Sequence, residues 1–515
     1  MTTSKIISIA ALTAVAAFSA QPLGAEDLVI LHTNDTHSII DPGYDDNLGG
    51  VLRRKALIDS VRQAEKNVML VDAGDVVQGS LYFTLFGGEV EQKVMNALGY
   101  DIQILGNHEF DNGLDAMARY LKGLNAKLLS ANYNFRDTPE EHMFAPFEIR
   151  EIGGKRIGFF GLNVDPRGLI DSAKYAGMGY FDAVEAANLT ADFLKNIEHC
   201  DEVIAITHIG YANTSPDDPS LPEKDGDVTV ARRSRNIDII IGGHSHTTID
   251  PANPKSPAWR VANAEGDSVL IVQTGRYGRN LGQITLDLDN LTAKSKLIPV
   301  TDRLDNRLDP KLAEIIAPYK HPVDSIRGIR LVQATADFPR NPDLANWMAD
   351  FVLEDARHEL GQKADFAMIN TGGVRSPFVK GWITKGNVMQ SFPFDNSIVV
   401  VEVPGSVLPA LFESVCAKGA AEPSKNVSAV YNTATGKLEK LTVNGRAVDP
   451  NKTYKIATIN YLANGNDGFG PIKGCPRVAE SKGVVYEDMI RAMESGWMKG
   501  RKQTPDATDR IKYIK

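Results

Sequence analysis

Five stretches of the chain carry side chains that suit metal binding. Asp35-Thr36-His37 offers a carboxylate and an imidazole two residues apart, and Asp75 closes Asp72-Ala73-Gly74-Asp75. Asn107 and His108 stand in Gly106-Asn107-His108-Glu109-Phe110-Asp111-Asn112-Gly113. His208 stands alone, while His244 and His246 share Gly-Gly-His-Ser-His. Carboxylate, imidazole and amide oxygen together suit zinc, manganese and related divalent ions. Asp35, His37, Asp75, Asn107, His208, His244 and His246 are too many ligands for one four-coordinate ion. Two ions with Asp75 as the shared bridge make the count sensible. Two cations about 3.5–4 Å apart clamp a phosphoryl group and activate a water for in-line attack.

These groups need elements to hold them. Each stretch follows a short apolar run: Leu28–Leu31, Val68–Val71, Ile102–Leu105, Val203–Ile206 and Ile237–Ile241. Similar runs occur at Leu128–Leu129, Ile157–Phe160 and Val269–Val272. They read as strands buried on both faces, with helical segments such as Asp182–Asn196 between them. The expectation is helices over one sheet or over two stacked sheets. In an extended chain residues i and i+2 face the same way, so Asp35 with His37, and His244 with His246, are expected to project together.

At 515 residues the chain exceeds one typical domain. Its net charge of −9 argues against a nucleic-acid polymer as partner, though not against a small phosphate ligand. Lys5, the apolar run to Ala20 and the small residues before Glu26 read as a signal peptide over 1–25, cleaved after Ala25. A periplasmic or secreted protein without a membrane anchor is expected. Of three cysteines, Cys416 and Cys475 are the candidate disulfide pair, with three free thiols as the alternative.

The pattern changes at 301–330, where Leu308-Asp309-Pro310 reads as the start of a linker helix. The first domain is expected over 26–300 and a second over 331–515. The second opens with a helix and continues with strands near Phe366–Ile369, Ile398–Val403, Val427–Asn432 and Lys455–Thr458. Asn370-Thr371-Gly372-Gly373-Val374-Arg375 is a plausible anion site, since glycines allow close approach and Arg offers a bidentate fork. The aromatics of Phe392-Pro393-Phe394-Asp395-Asn396 and of Asn460–Phe469 lie beside turn residues, where two aromatic faces could sandwich a nucleobase.

Taken together, Asp-x-His, Gly-Asp, Gly-Asn-His-Glu, the lone His and Gly-His-x-His resemble the calcineurin-like metallophosphoesterases. Leu31–His37, Gly106–Asp111 and the second-half motifs resemble the 5′-nucleotidase family more closely. The resemblance implies an α/β fold: a four-layer αββα metallophosphoesterase domain, a linker helix and a smaller α+β substrate domain. It assigns Asp35, His37, Asp75 and His246 to one divalent ion, and Asp75, Asn107, His208 and His244 to the other. His108 and Asp111 become a catalytic pair, in which Asp111 orients a protonated His108. A helix-capping role for Asp111 is the other reading. Phe394 and Tyr461 become the base sandwich, Asn370 and Asp467 ribose ligands, and Arg375 a phosphate ligand. Tyr461 stands where the family usually has Phe. Arg340 falls two positions from the family's further phosphate arginine, so a surface role is expected for it. Domain rotation about the linker is expected by the same resemblance.

The function implied is hydrolysis of nucleoside 5′-phosphates to nucleoside and phosphate by metal-activated water. Enzymatic alternatives are cleavage of UDP-sugars or NAD at the pyrophosphate, or opening of 2′,3′-cyclic nucleotides. A non-catalytic nucleotide-binding protein would lack metal ligands or the His108–Asp111 pair, and both are intact. Oligomeric state is open at this level.

Overall fold

A computed structural model describes residues 27–43, 46–212 and 226–515. The expected signal peptide lies outside the described residues.

The first domain holds two six-stranded sheets. In the first, Leu28–Thr33 (β1), Asn67–Asp72 (β2), Ile102–Gln103 (β3) and Lys127–Leu128 (β4) run parallel. The hairpin Asn280–Asp287 (β13) and Thr292–Pro299 (β14) continues it antiparallel from β1, giving the order β14-β13-β1-β2-β3-β4. The second sheet has a parallel centre of Lys155–Asn163 (β7), Glu202–His208 (β9), Ile239–Ile241 (β10) and Ser268–Val272 (β12). Phe147–Ile152 (β6) and Arg260–Ala262 (β11) flank it antiparallel.

Side-chain alternation explains the layering. Leu28 and Ile30 of β1 enter a core shared with Phe159, Ile204, Ile206, Ile241 and Val272 of the other sheet. Val29 and Leu31 face the opposite way, onto Val51 and Ile58 of the helix Val51–Ala64 (α1) and Val94 and Leu98 of Glu89–Leu98 (α3). On the far side, Phe160, Val203 and Ala205 pack against Ala187 and Leu194 of Ala183–Asn196 (α5). The result is helix, sheet, sheet, helix, and both faces of each sheet are apolar for that reason. Asp182 starts α5 by accepting from Glu185 N. The parallel strands end on one edge, where polar loops gather.

Helix Pro310–Arg327 (α7) starts with Asp309 accepting from Lys311 N and Pro310 in its first turn. Leu312, Ile316 and Val323 are buried in the outer core of the first sheet, alongside Met389 of the second-domain helix Lys385–Ser391 (α9). The helix therefore packs as part of the outer layer and touches both domains.

The second domain is built on Phe366–Asn370 (β16), Ile398–Pro404 (β18), Ala421–Pro423 (β19), Thr453–Ile459 (β23) and Arg477–Glu480 (β24), ordered β19-β16-β23-β18-β24. Helix Ala345–His358 covers this sheet through Trp347, Phe351 and Val352. The polar C-terminal segment is a strand, Ile511–Ile514, parallel to Val427–Asn432. All three cysteines are free, so the candidate Cys416–Cys475 pair does not form. Cys416 is buried in the helix Leu408–Ala417, whereas Cys475 lies in the turn before β24. Among the described residues no helix is long and apolar enough to cross a membrane.

Candidate active site

The loops after β1, β2 and β10 carry an unusual backbone. Asp35 (φ 50°), His37 (φ 49°), Asp75 (φ 56°), His244 (φ 77°) and His246 (φ 55°) all adopt the left-handed conformation. L side chains resist it by roughly 1–2 kcal/mol per residue, so surrounding contacts must hold it. Asp35 N donates to Gly74 O at 2.9 Å, His37 N donates to Asp75 O at 3.0 Å, and Tyr277 N donates to Asp35 O at 2.7 Å.

This overturns the extended-chain argument for the i, i+2 pairs. Turns beyond the strand ends aim these side chains. Asp35 and His37 still meet, with His37 Nε2 3.9 Å from Asp35 Oδ1. His244 and His246 diverge into two clusters. His246 Nε2 lies 3.3 Å from Asp35 Oδ1 and 2.9 Å from His37 Nε2. His244 Nδ1 lies 2.8 Å from Asn107 Oδ1. Ligand atoms of Asp35, His37 and His246 lie within 4.8 Å of one another, as do those of Asp75, His208 and His244. Asp75 lies between, its Oδ2 3.8 Å from His37 Nε2 and 3.2 Å from His208 Nε2. All seven ligands expected from the sequence are thus brought together.

The donor set fits divalent cations. His37 Nδ1 is 3.2 Å from Gln78 O and His208 Nδ1 is 2.7 Å from Ala73 O. Each ring donates from Nδ1 to its carbonyl, which turns Nε2 toward the cluster. His208 Nε2 is buried 3.2 Å from Asp75 Oδ2, without a hydrogen-bond partner. An orphaned buried imidazole nitrogen beside a carboxylate is what a metal ligand leaves when the ion is taken away. Burial keeps His37 well below the usual histidine range and takes His244 down to about 4, so both rings are neutral. Burial also disfavours charge on His208, but Asp75 and Asp35 outweigh it and push the ring up to about 10. The buried carboxylates demand positive charge at this point, from a proton or from a cation.

Two residues not singled out from the sequence shape the site. Glu109 accepts from Gly106 N at 2.6 Å, Val76 N at 2.8 Å and Asp75 N at 3.1 Å, which locks the Asp75 turn onto the Asn107 turn. The lock needs close approach: a Cβ on Gly106 would lie 2.1 Å from Asp75 Oδ1. Arg276 is the other, with its guanidinium 3.3 Å from His246 Nδ1 and stacked over Tyr277. Glu109 belonged to the Gly-Asn-His-Glu motif and could have been found there. Arg276 carried no local signal.

His108 Nδ1 lies 2.9 Å from Asp111 Oδ2. The helix Leu114–Lys122 that follows begins at Gly113 with no side-chain cap, so Asp111 serves His108 and not the helix. Burial opposes protonation of His108, yet Asp111 and Asp75 prevail and raise its pKa.

The second domain closes on this edge. The Phe394 ring lies 5.8 Å from the His108 ring, and the Arg375 guanidinium lies 5.9 Å from the Phe394 ring. Asn370 Nδ2 donates to Asp467 Oδ2 at 2.7 Å. Asn370, Arg375, Phe394, Tyr461 and Asp467 line one cavity of about 310 Å³ together with Asn107, His108 and Asp111. The surface role expected for Arg340 does not hold. Its guanidinium is half-buried and donates to Val374 O at 2.7 Å. Burial, with Arg375 and Arg276 near enough to repel it, holds its pKa below the usual arginine value. Arg340 is thereby fixed on the backbone next to Arg375, which lines the cavity.

Comparison with known proteins agrees with this architecture. Residues 28–248 match the calcineurin-like phosphoesterase model, and residues 327–473 match the 5′-nucleotidase C-terminal domain model. The two domains and their clustered ligands define a metal-dependent phosphoester hydrolase. In both halves the chain is similar to the 5′-nucleotidases. It is 28% identical to the 5′-nucleotidase of Homo sapiens, over 87% of this chain and 85% of that protein. It is 26% identical to the trifunctional nucleotide phosphoesterase YfkN of Bacillus subtilis over 95% of this chain, but spans only 35% of that protein. A solved 5′-nucleotidase precursor from Thermus thermophilus superposes with a TM-score of 0.82 at 27% identity, covering 95% of this chain and 99% of that one.

Proposed function

We propose that the protein hydrolyses nucleoside 5′-phosphates to nucleoside and phosphate, as an exported enzyme freed from its signal peptide. One observation carries the reading. A single cavity runs from the Asn107–His108 edge of the ligand cluster to Phe394, Tyr461, Asn370 and Asp467. Phosphate and nucleoside thus have adjoining places. Asp35, His37, Asp75 and His246 would hold one divalent cation, and Asp75, Asn107, His208 and His244 the other, with zinc and manganese suited to both. When bound, such a pair neutralises phosphoryl charge and activates water for in-line displacement.

The chain's own groups do the rest. Arg375 and Arg340 bring positive charge to the phosphoryl end of the cleft. Phe394 and Tyr461 present aromatic walls to the base. The Asn370–Asp467 pair offers a donor and acceptors for the ribose hydroxyls. His108, donating Nδ1–H to Asp111, keeps Nε2–H toward the cleft. There it stabilises charge on the phosphoryl group or gives its proton to the departing 5′-oxygen.

The test is phosphate release from AMP with added zinc or manganese, with and without chelator, beside UDP-glucose, NAD and 2′,3′-cyclic AMP. Metal-dependent turnover highest on AMP is expected. Binding of AMP without turnover under any metal overturns the reading.

A further inference from the structure

Hydrogen bonds tie the walls of the cleft together at its nucleoside end. Segment 461–467 of the second domain meets segment 168–171 of the first. The Tyr461 hydroxyl donates to Leu169 O at 2.7 Å and lies 3.2 Å from Asp467 Oδ1. Asp467 N donates to Gly168 O at 3.3 Å. Farther out, Asn464 Nδ2 donates to Asp171 Oδ2, while Asn464 Oδ1 accepts from Arg477.

Each partner is itself held. Asp171 caps the short turn Ser172–Lys174 by accepting from Ala173 N at 3.0 Å. Asp467 accepts from Asn370, and its own backbone is left-handed at φ 48°. Asn464 closes the turn of helix that carries Tyr461, Asn460–Ala463, by donating to Asn460 O at 2.9 Å. The junction thus joins two preformed turns and does not order loose chain. Single hydrogen bonds of this kind contribute about 0.5–1.5 kcal/mol net.

We propose that Asn464 and the Tyr461 hydroxyl are positioning residues for nucleoside phosphates: their bonds to Asp171 and Leu169 set the working distance between the nucleoside wall and the His108 edge. The proposal rests on the nucleotide reading above. It also gives the hydroxyl of Tyr461 a use apart from stacking.

The experiment compares AMP with p-nitrophenyl phosphate, a phosphoester without ribose or base. Asn464→Asp sets a second carboxylate against Asp171 while keeping the acceptor for Arg477. KM for AMP and the inhibition constant of adenosine are expected to rise by the same factor, at least about threefold for one lost hydrogen bond with added repulsion. Hydrolysis of p-nitrophenyl phosphate by this variant is expected to stay unchanged. Combining Asn464→Asp with Asp171→Asn restores a donor–acceptor pair in reverse and is expected to restore both constants. Tyr461→Phe, which keeps the ring, is expected to raise them as Asn464→Asp does. An unchanged KM in both single variants, no recovery in the exchanged pair, or an equal loss on p-nitrophenyl phosphate overturns the proposal. Unaltered protein that cleaves p-nitrophenyl phosphate but not AMP overturns the nucleotide reading first, and does so before any variant is made.

Discussion

His208 Nε2 lies 3.2 Å from Asp75 Oδ2 and has no hydrogen-bond partner. Both side chains are buried, and the ring is fixed by its other nitrogen on Ala73 O. The pair is prepared for a third participant of positive charge. A cation that binds the folded chain and not the unfolded one stabilises it by mass action, by about 2.7 kcal/mol at a hundred times its dissociation constant.

Chelation is therefore expected to lower the melting temperature of the purified protein, and zinc or manganese to restore it. His208→Ala is expected to lower the bound metal and to remove that thermal response. Melting scans with metal analysis check this. A melting temperature indifferent to chelator in unaltered protein would count against the whole ligand assignment.

The His108–Asp111 contact predicts a pH effect. Because the carboxylates raise the His108 pKa, the protonated ring persists to higher pH than an ordinary histidine. Activity that needs this proton is lost as pH rises through the raised value. In Asp111→Asn the alkaline limb of kcat should move to lower pH. His108→Ala is expected to cut kcat by about 10²–10⁴-fold with metal content near normal. A kcat profile at saturating nucleotide, read beside metal analysis, separates the two. Turnover that survives His108→Ala removes this residue from the mechanism.

A third expectation concerns stability. Glu91 on α3 is buried, and burial pushes its pKa up to about 7 even though the nearby Ser38 hydroxyl favours the ionised form. Unfolded, the same group ionises near 4.5. Between those values the folded chain binds more protons, so stability falls as pH rises, by up to about 1.4 kcal/mol per pH unit. Glu91→Gln keeps the shape and cannot ionise. The difference in urea midpoint between pH 5 and pH 8 is expected to narrow in this variant. An unchanged difference assigns the slope to other buried carboxyls.

The strands and the metal-binding side chain types at their ends were legible in the chain itself, whereas the four-layer order was only implied by the resemblance. Apolar runs such as Val68–Val71 and Val203–Ile206 announce strands covered on both sides, and the structure places each inside a sheet. The hairpin β13–β14 was not foreseen, because Gly, Gln and Thr interrupt the apolar residues of β13 and its partner β14 is a largely exposed, lysine-bearing edge strand. The polar tail at Ile511–Ile514 escaped notice for the same reason.

What the residues determined alone is the chemistry: carboxylates, imidazoles and an amide placed after strands, with His108 and Asp111 three apart. Their types and local spacing are written in the chain, and metal affinity depends first on ligand type. Only the tertiary structure decided that His244 and His246 part company, that five of the candidate ligands stand on left-handed turns, and that Arg276 meets His246 while Arg340 is held on Val374 O. Those outcomes depend on backbone torsions held by distant partners such as Gly74, Tyr277 and Val374. No local window of sequence contains both ends of such a contact.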